Sequence, residues 1–161
     1  MNDNWFEFVS KIIERDKEKI SVHTLERPKG VTAEEVSQAE NILGFTIPIE
    51  LKSLLMEFDG LHEYAIKEDG RKISLGSIIW SLSDIVNWHT SWTIPNKTML
   101  FCFGNSISAN PYGYLLENGK PKEDEIWQSD HETSPPNEDI IKRGSSLKEF
   151  ISTSMAESRW Y

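Results

Sequence analysis

The strongest constraint on the fold lies between residues 31 and 60, where two helix signals stand almost end to end. Thr32 and Glu35 have the spacing of a capping box, in which each side chain satisfies a free backbone N–H of the other. Val31 and Val36 occupy the two positions of a hydrophobic staple. Gly44 sits where a helix ends on a left-handed residue. Pro48 then suits a first helical turn, because its missing N–H would have no partner there. Ile47, Leu51, Leu54, Leu55 and Phe58 line one face of this second helix, and Asp59-Gly60 stops it. So short a connection makes the two helices close neighbours, and the fold must be built around them.

The flanking segments carry weaker but consistent patterns. Trp5, Phe8, Val9, Ile12 and Ile13 predict a helix over residues 4–17, which the polar run Glu26-Arg27-Pro28-Lys29-Gly30 separates from the capping box at Thr32. Beyond Gly60 the pattern changes to strands. Tyr64-Ala65-Ile66 and Ile73-Ser74-Leu75 flank the hairpin signal Glu68-Asp69-Gly70-Arg71, and Ile78-Ile79-Trp80 reads as a separate short strand. Ser81 to His89 reads as a helix with Ser81 as N-cap. Residues 99–103 read as a buried strand. Tyr112–Leu116 and Glu125–Trp127 read as strands beside the turn Glu117-Asn118-Gly119-Lys120, and 130–144 reads as a polar loop. A last helix over 147–157 opens with a capping box of Ser146 and Glu149. Helices followed by a strand meander, one inserted helix and a closing helix indicate an α+β fold.

Charge and length bound the function. The chain has 161 residues, a single-domain length, with 26 acidic and 17 basic side chains and a net charge of −9. That balance argues against binding nucleic-acid phosphates and allows a basic partner. The acidity is concentrated in two segments. Residues 31–70 hold nine acids against Lys52 and Lys67, and residues 117–139 hold eight against Lys120 and Lys122. If both folded onto one face, they would form an acidic binding surface. No apolar run is long enough to span a membrane, and the N-terminal residues lack a signal-peptide pattern. The lone Cys102 suits a reducing compartment, so the expectation is a cytoplasmic protein.

Motifs for chemistry are missing from the sequence: neither of the phosphate-cradling glycine motifs occurs, nor H-E-x-x-H, nor G-x-S-x-G. One cysteine cannot build a cysteine-rich zinc site, and His23, His62, His89 and His131 are scattered. An enzyme would need His62 or His131 to converge with carboxylates in a pocket. We therefore expect no catalytic residue, no metal and no cofactor. The aromatics are more informative. There are six tryptophans; Trp88 and Trp92 stand one helical turn apart, and Trp127 lies beside Asp130, His131 and Glu132. Tyr112 and Tyr114 alternate around Gly113 and so share one strand face. Such a set suits either a packed sheet or a protein interface, in which aromatics anchor and carboxylates steer.

The 32–60 stretch, with Leu43-Gly44, Ile47-Pro48, Leu51, Leu54 and Asp59-Gly60, resembles the opening signature of the SUKH superfamily of the Smi/Knr type. Asp59 stands where that pattern usually has Asn, and Leu61 replaces a second glycine. Phe103-Gly104-Asn105, Tyr112-Gly113-Tyr114, the segment 127–132 and Ser146–Ile151 resemble its later blocks, although the 105–111 loop departs from the usual glycine-rich form. The likeness covers roughly residues 30–155. It implies one domain over 1–161, with 1–30 as an N-terminal helical extension, and a central, mainly antiparallel sheet flanked by helices. It also implies a non-enzymatic role. Bacterial members resemble immunity proteins that block a cognate toxin domain, often a nuclease, while eukaryotic members resemble cell-wall regulators and scaffolds. On the immunity reading, the candidates for toxin contact are Asp59, Glu63, Tyr112, Tyr114, Glu117, Trp127, Asp130 and Glu132. Oligomeric state is not legible in the sequence.

Overall fold

A computed structural model describes residues 4–16, 23–26, 28–91, 99–106, 108–130 and 140–157. Among them the order is α1 (Trp5–Asp16), β1 (His23–Glu26), α2 (Ala33–Leu43), α3 (Ile49–Glu57), β2 (Leu61–Ile66), β3 (Lys72–Ile79), α4 (Leu82–Ser91), β4 (Leu100–Asn105), β5 (Pro111–Glu117), β6 (Lys120–Ser129), β7 (Ile140–Gly144) and α5 (Leu147–Glu157). The strands form two antiparallel sheets, β1-β2-β3 and β4-β5-β6-β7. The α+β class holds, with the expected central sheet divided in two.

The sheets meet where the end of β3 passes β4. The Trp80 amide donates to the Phe103 carbonyl at 2.7 Å. The Tyr112 hydroxyl donates to the Ile78 carbonyl at 2.7 Å. Gly104 permits this approach, since a Cβ there would collide with the Ile78 carbonyl and the Tyr112 ring. Three local expectations change. Ile78 and Ile79 continue β3 rather than forming a strand of their own, and the strand passes Gly76 at a φ of 115°, beside an irregular register. Residues 140–144 form β7 rather than loop, because their amides and carbonyls complete the open edge of β6. Residues 23–26 form β1, which pairs with β2 although the segment lacks apolar alternation.

The expected apolar stripes are the core. Trp5, Val9 and Ile12 of α1 are buried, as are Ile47, Leu51, Leu54, Leu55 and Phe58 around α3 and Leu147, Phe150 and Ile151 of α5. β4 is buried from Leu100 to Phe103 and lies between two helices. Phe103 stacks against Tyr112, Tyr114 and Phe150 of α5, with ring centroids 5.6, 5.1 and 5.7 Å away. Phe101 packs against His89 of α4 at 5.0 Å and against Phe45 at 4.9 Å.

Every helix start takes a carboxylate. In α2 it is local: Glu35 accepts from the Thr32 amide at 2.7 Å, and Thr32 Oγ1 accepts from the Glu35 amide at 3.2 Å. In the other four it comes from elsewhere in the chain. Glu57 accepts from the Trp5 and Phe6 amides of α1, both at 2.8 Å. Glu123 accepts from the Ile49 amide of α3 at 3.2 Å, where Pro48 offers no side-chain cap. Asp59 accepts from the Leu82 amide of α4 at 2.7 Å. Glu50 accepts from the Leu147 amide of α5 at 2.6 Å. Each anion meets an unpaired N–H at the positive end of a helix. In α5 the Glu149 amide donates to Ser146 as the capping box requires, but the Glu149 carboxylate accepts from the Ser145 amide, not from Ser146.

Glu50→Ala removes an anionic acceptor from a part-buried amide. It is expected to cost about 2 kcal/mol in urea unfolding, against less than about 0.5 kcal/mol for Glu68→Ala in the exposed 67–71 turn. His89 gives stability a pH dependence. Burial lowers its pKa from 6.5 to about 4, and its Nε2 has no hydrogen-bond partner among the described residues. The unfolded chain therefore binds this proton first as pH falls, so stability is full above about pH 6.5 and declines towards pH 4. Between pH 7 and pH 5 the loss is about 2 kcal/mol, and His89→Phe is expected to remove that share of the pH dependence in parallel melts.

Candidate functional site

Of the eight residues singled out in the sequence, seven are described, and three of those are buried. Tyr112 and Tyr114 do share a strand face, but it is the inner one: they are 3% and 1% exposed. Burial holds both phenols well above their ordinary pKa. Glu63 is 1% exposed in β2. These three serve the core and offer no surface to a docking partner. Asp59 is half-buried and caps α4. Burial raises its pKa, opposed by the Leu82 amide and reinforced by the nearby charges of Glu35 and Asp84.

The β5–β6 hairpin keeps more of the expected character, but its acidity is partly answered from within. Its tip is the two-residue turn Asn118-Gly119, with φ of 51° and 74°. Lys122 lies 2.9 Å from Glu125 and 3.9 Å from Glu117. Its hydrogen bond, with a second from the half-buried Trp127 indole at 3.2 Å, holds the Glu125 carboxyl below its usual range. Glu117 is exposed and Asp130 half-buried, whereas Glu132 and His131 lie outside the described residues, as does Trp92.

The first acidic segment is likewise occupied. Glu35, Glu50, Glu57 and Asp59 all cap helices, and Glu40 accepts from the Ile47 amide at 2.9 Å while pairing with Lys52 at 2.6 Å. These five acids are committed to bonds within the molecule. Of the histidines that an enzyme reading required, only His62 lies among the described residues. His62 lies in β2 between the hydroxyls of Ser77 and Ser74, at 2.6 and 2.7 Å, and stacks on Tyr64. Cys102 is fully buried, and its thiol is pushed up to about 12, so it stays protonated. No group of three or more His, Cys, Asp or Glu among the described residues could hold a metal ion.

What the structure does assemble is a relief around α4. On one side a cleft of about 450 Å³ is lined by Ser77, Trp80, Asp84, Asn87, Trp88 and Ser91. On the other side, between α2 and α4, a smaller cleft of about 280 Å³ runs past Glu35, Ile42, Asp59 and Val86. Asn87 lines both, so α4 stands as a ridge between two depressions. The ridge is rigidly founded. Ile85 and Leu82 are buried beneath it, and Asp59 and the Ser81 hydroxyl hold its first turn.

The larger cleft has aromatic walls. Trp80 and Trp88 are both half-buried, with ring centroids 5.0 Å apart and planes at 44°. The Trp80 indole N–H donates to Asn105 Oδ1 at 2.6 Å, and Asn105 in turn donates to the Ser106 carbonyl. The Trp88 side chain neighbours the Cys102 sulfur and opposes the upward push that burial gives its thiol. Sequence reasoning misses this pair. Trp80 ends a strand and Trp88 lies two turns into the next helix, so no single period links them, and helical spacing matches Trp88 with Trp92 instead.

These positions lie within the stretch that matches a known family. Residues 30–153 match the model of the SMI1 / KNR4 family (SUKH-1), a span that begins just before α2 and ends within α5. A search of curated proteins finds no match to the chain. With the matched span covering most of its length and carrying α2, α3, α4 and every strand from β2 to β7, the chain belongs to the SMI1 / KNR4 family, SUKH-1.

Proposed function

We propose that this protein is a bacterial immunity protein: it binds a cognate toxin domain, a basic nuclease in the simplest case, and blocks it by occupying its surface without chemistry of its own. Family membership supports a role in protein binding. The observation that carries the reading is the α4 relief, where Asp84 shares one cleft with Trp80 and Trp88 and Asp59 lines the cleft on the other side of the helix. Aromatic anchors in a preformed depression with acidic neighbours are what a basic partner would need. The net charge of −9 adds long-range attraction to such a partner. We place the protein in the cytoplasm on this reading, where a nuclease toxin would act, with no direct contact to nucleic acid.

Co-expression with each toxin domain encoded beside the gene is the direct test. Cells carrying toxin and this chain are expected to survive, and the two proteins to elute together. The association rate is expected to fall about tenfold or more between low salt and roughly 0.5 M salt, as screening removes the steering field. Killing that proceeds unchanged for every neighbouring toxin overturns the proposal. Capture of a signalling or cell-wall protein in place of a toxin assigns the chain to the regulatory scaffolds instead.

A further inference from the structure

We infer that the Trp80–Trp88 cleft is a receptor for one arginine side chain of the protein partner. This rests on the reading that the chain binds a basic protein, and it names the group that anchors that partner.

The cleft offers ring surface beside a carboxylate. The Trp80 indole already spends its N–H on Asn105, and both rings line the cleft with their centroids 5.0 Å apart, so what they offer there is ring surface. The faces of tryptophan rings carry negative potential and attract cations more strongly than those of other aromatics. Asp84 is exposed on the same wall. Its Oδ2 accepts from the Ser81 hydroxyl at 2.7 Å, and Oδ1 has no partner among the described residues. Asn87, Ser77 and Ser91 add neutral acceptors around the opening.

Those features discriminate between occupants. An apolar side chain would strip water from Asp84 and Asn87 and give nothing back. An anion would meet Asp84 with Asp59 and Glu35 behind it, which already interact electrostatically. A lysine ammonium could pair with Asp84, but as a compact point charge it has no flat surface to lay on a ring. A guanidinium meets both demands at once. Its plane stacks on indole, and its edge presents N–H donors to a carboxylate. A saccharide ring can also stack on tryptophan, but it makes no use of the negative field.

The test needs no toxin. The indole N–H resonances of Trp80 and Trp88 in the ¹⁵N-labelled full chain are assigned with Trp80→Phe and Trp88→Phe. The chain is then titrated with the capped tripeptides Gly-Arg-Gly and Gly-Lys-Gly, and with chitobiose. The arginine peptide is expected to shift both resonances saturably and leave that of buried Trp5 in place. The lysine peptide is expected to bind roughly fivefold more weakly or less. Asp84→Asn is expected to weaken the arginine peptide by about threefold or more while the Trp80 resonance keeps its position. If that variant unfolds, Trp88→Leu is read instead, and it is expected to abolish the shift at Trp80. Equal binding of the two peptides, shifts from chitobiose instead, or no shift from the arginine peptide overturns the inference. Each of those results leaves the immunity reading to the co-expression experiment. Failure of that experiment leaves the binding of arginine in this cleft as measured.

Discussion

The fold depends on carboxylates placed at the starts of helices. A helix presents unpaired N–H groups and a positive partial charge at its first turn, and an anion satisfies both. Only α2 supplies its own acid; Glu57, Glu123, Asp59 and Glu50 reach the other four starts from distant segments. Remove these bonds and the helices lose the contacts that set where each begins against its neighbour. Glu50 shows the economy of the device, since it lies in the first turn of α3 and caps α5.

The same bonds explain why charge is a poor guide to surface in this chain. Nine acids in residues 31–70 suggest a face for a partner, yet five of them accept from backbone amides and a sixth, Glu63, is buried in β2. Nothing local distinguishes Glu57, which clamps α1, from Glu68, exposed in the turn after β2. The difference lies in which backbone amide happens to be opposite, and that is decided by tertiary packing. Helix limits are legible wherever the signal is local: the Thr32–Glu35 box, Gly44 with its φ of 79°, and Asp59-Gly60. Strands β1 and β7 are not, because short edge strands carry little periodic signal and are defined by the partner they complete. Alternation correctly puts Tyr112 and Tyr114 on one face. It cannot say that the face is the inner one, because that depends on Phe103 and Phe150, which arrive from other elements.

The α4 relief draws on several levels of this construction. Asp59 ends the segment after α3 and caps α4, so it ties the 32–60 stretch to the helix that forms the ridge. Trp80 leaves β3 at the point where the two sheets meet, and its indole is fixed by Asn105 at the end of β4. The cleft is therefore attached to both sheets, and its geometry is set by backbone contacts rather than by loops. Such anchoring pre-organises a binding surface and lowers the entropy lost on association.

The long-range caps also bear on how the molecule assembles. Their bonds join residues 23, 52, 74 and 97 positions apart. A helix whose first turn waits for a group that far away gains little from forming early, because the intervening loop must close before the bond repays its cost in chain entropy. Secondary and tertiary structure are then made together. Partly built forms with bare helix starts lack these bonds, which favours unfolding in which α1, α3, α4 and α5 are released together.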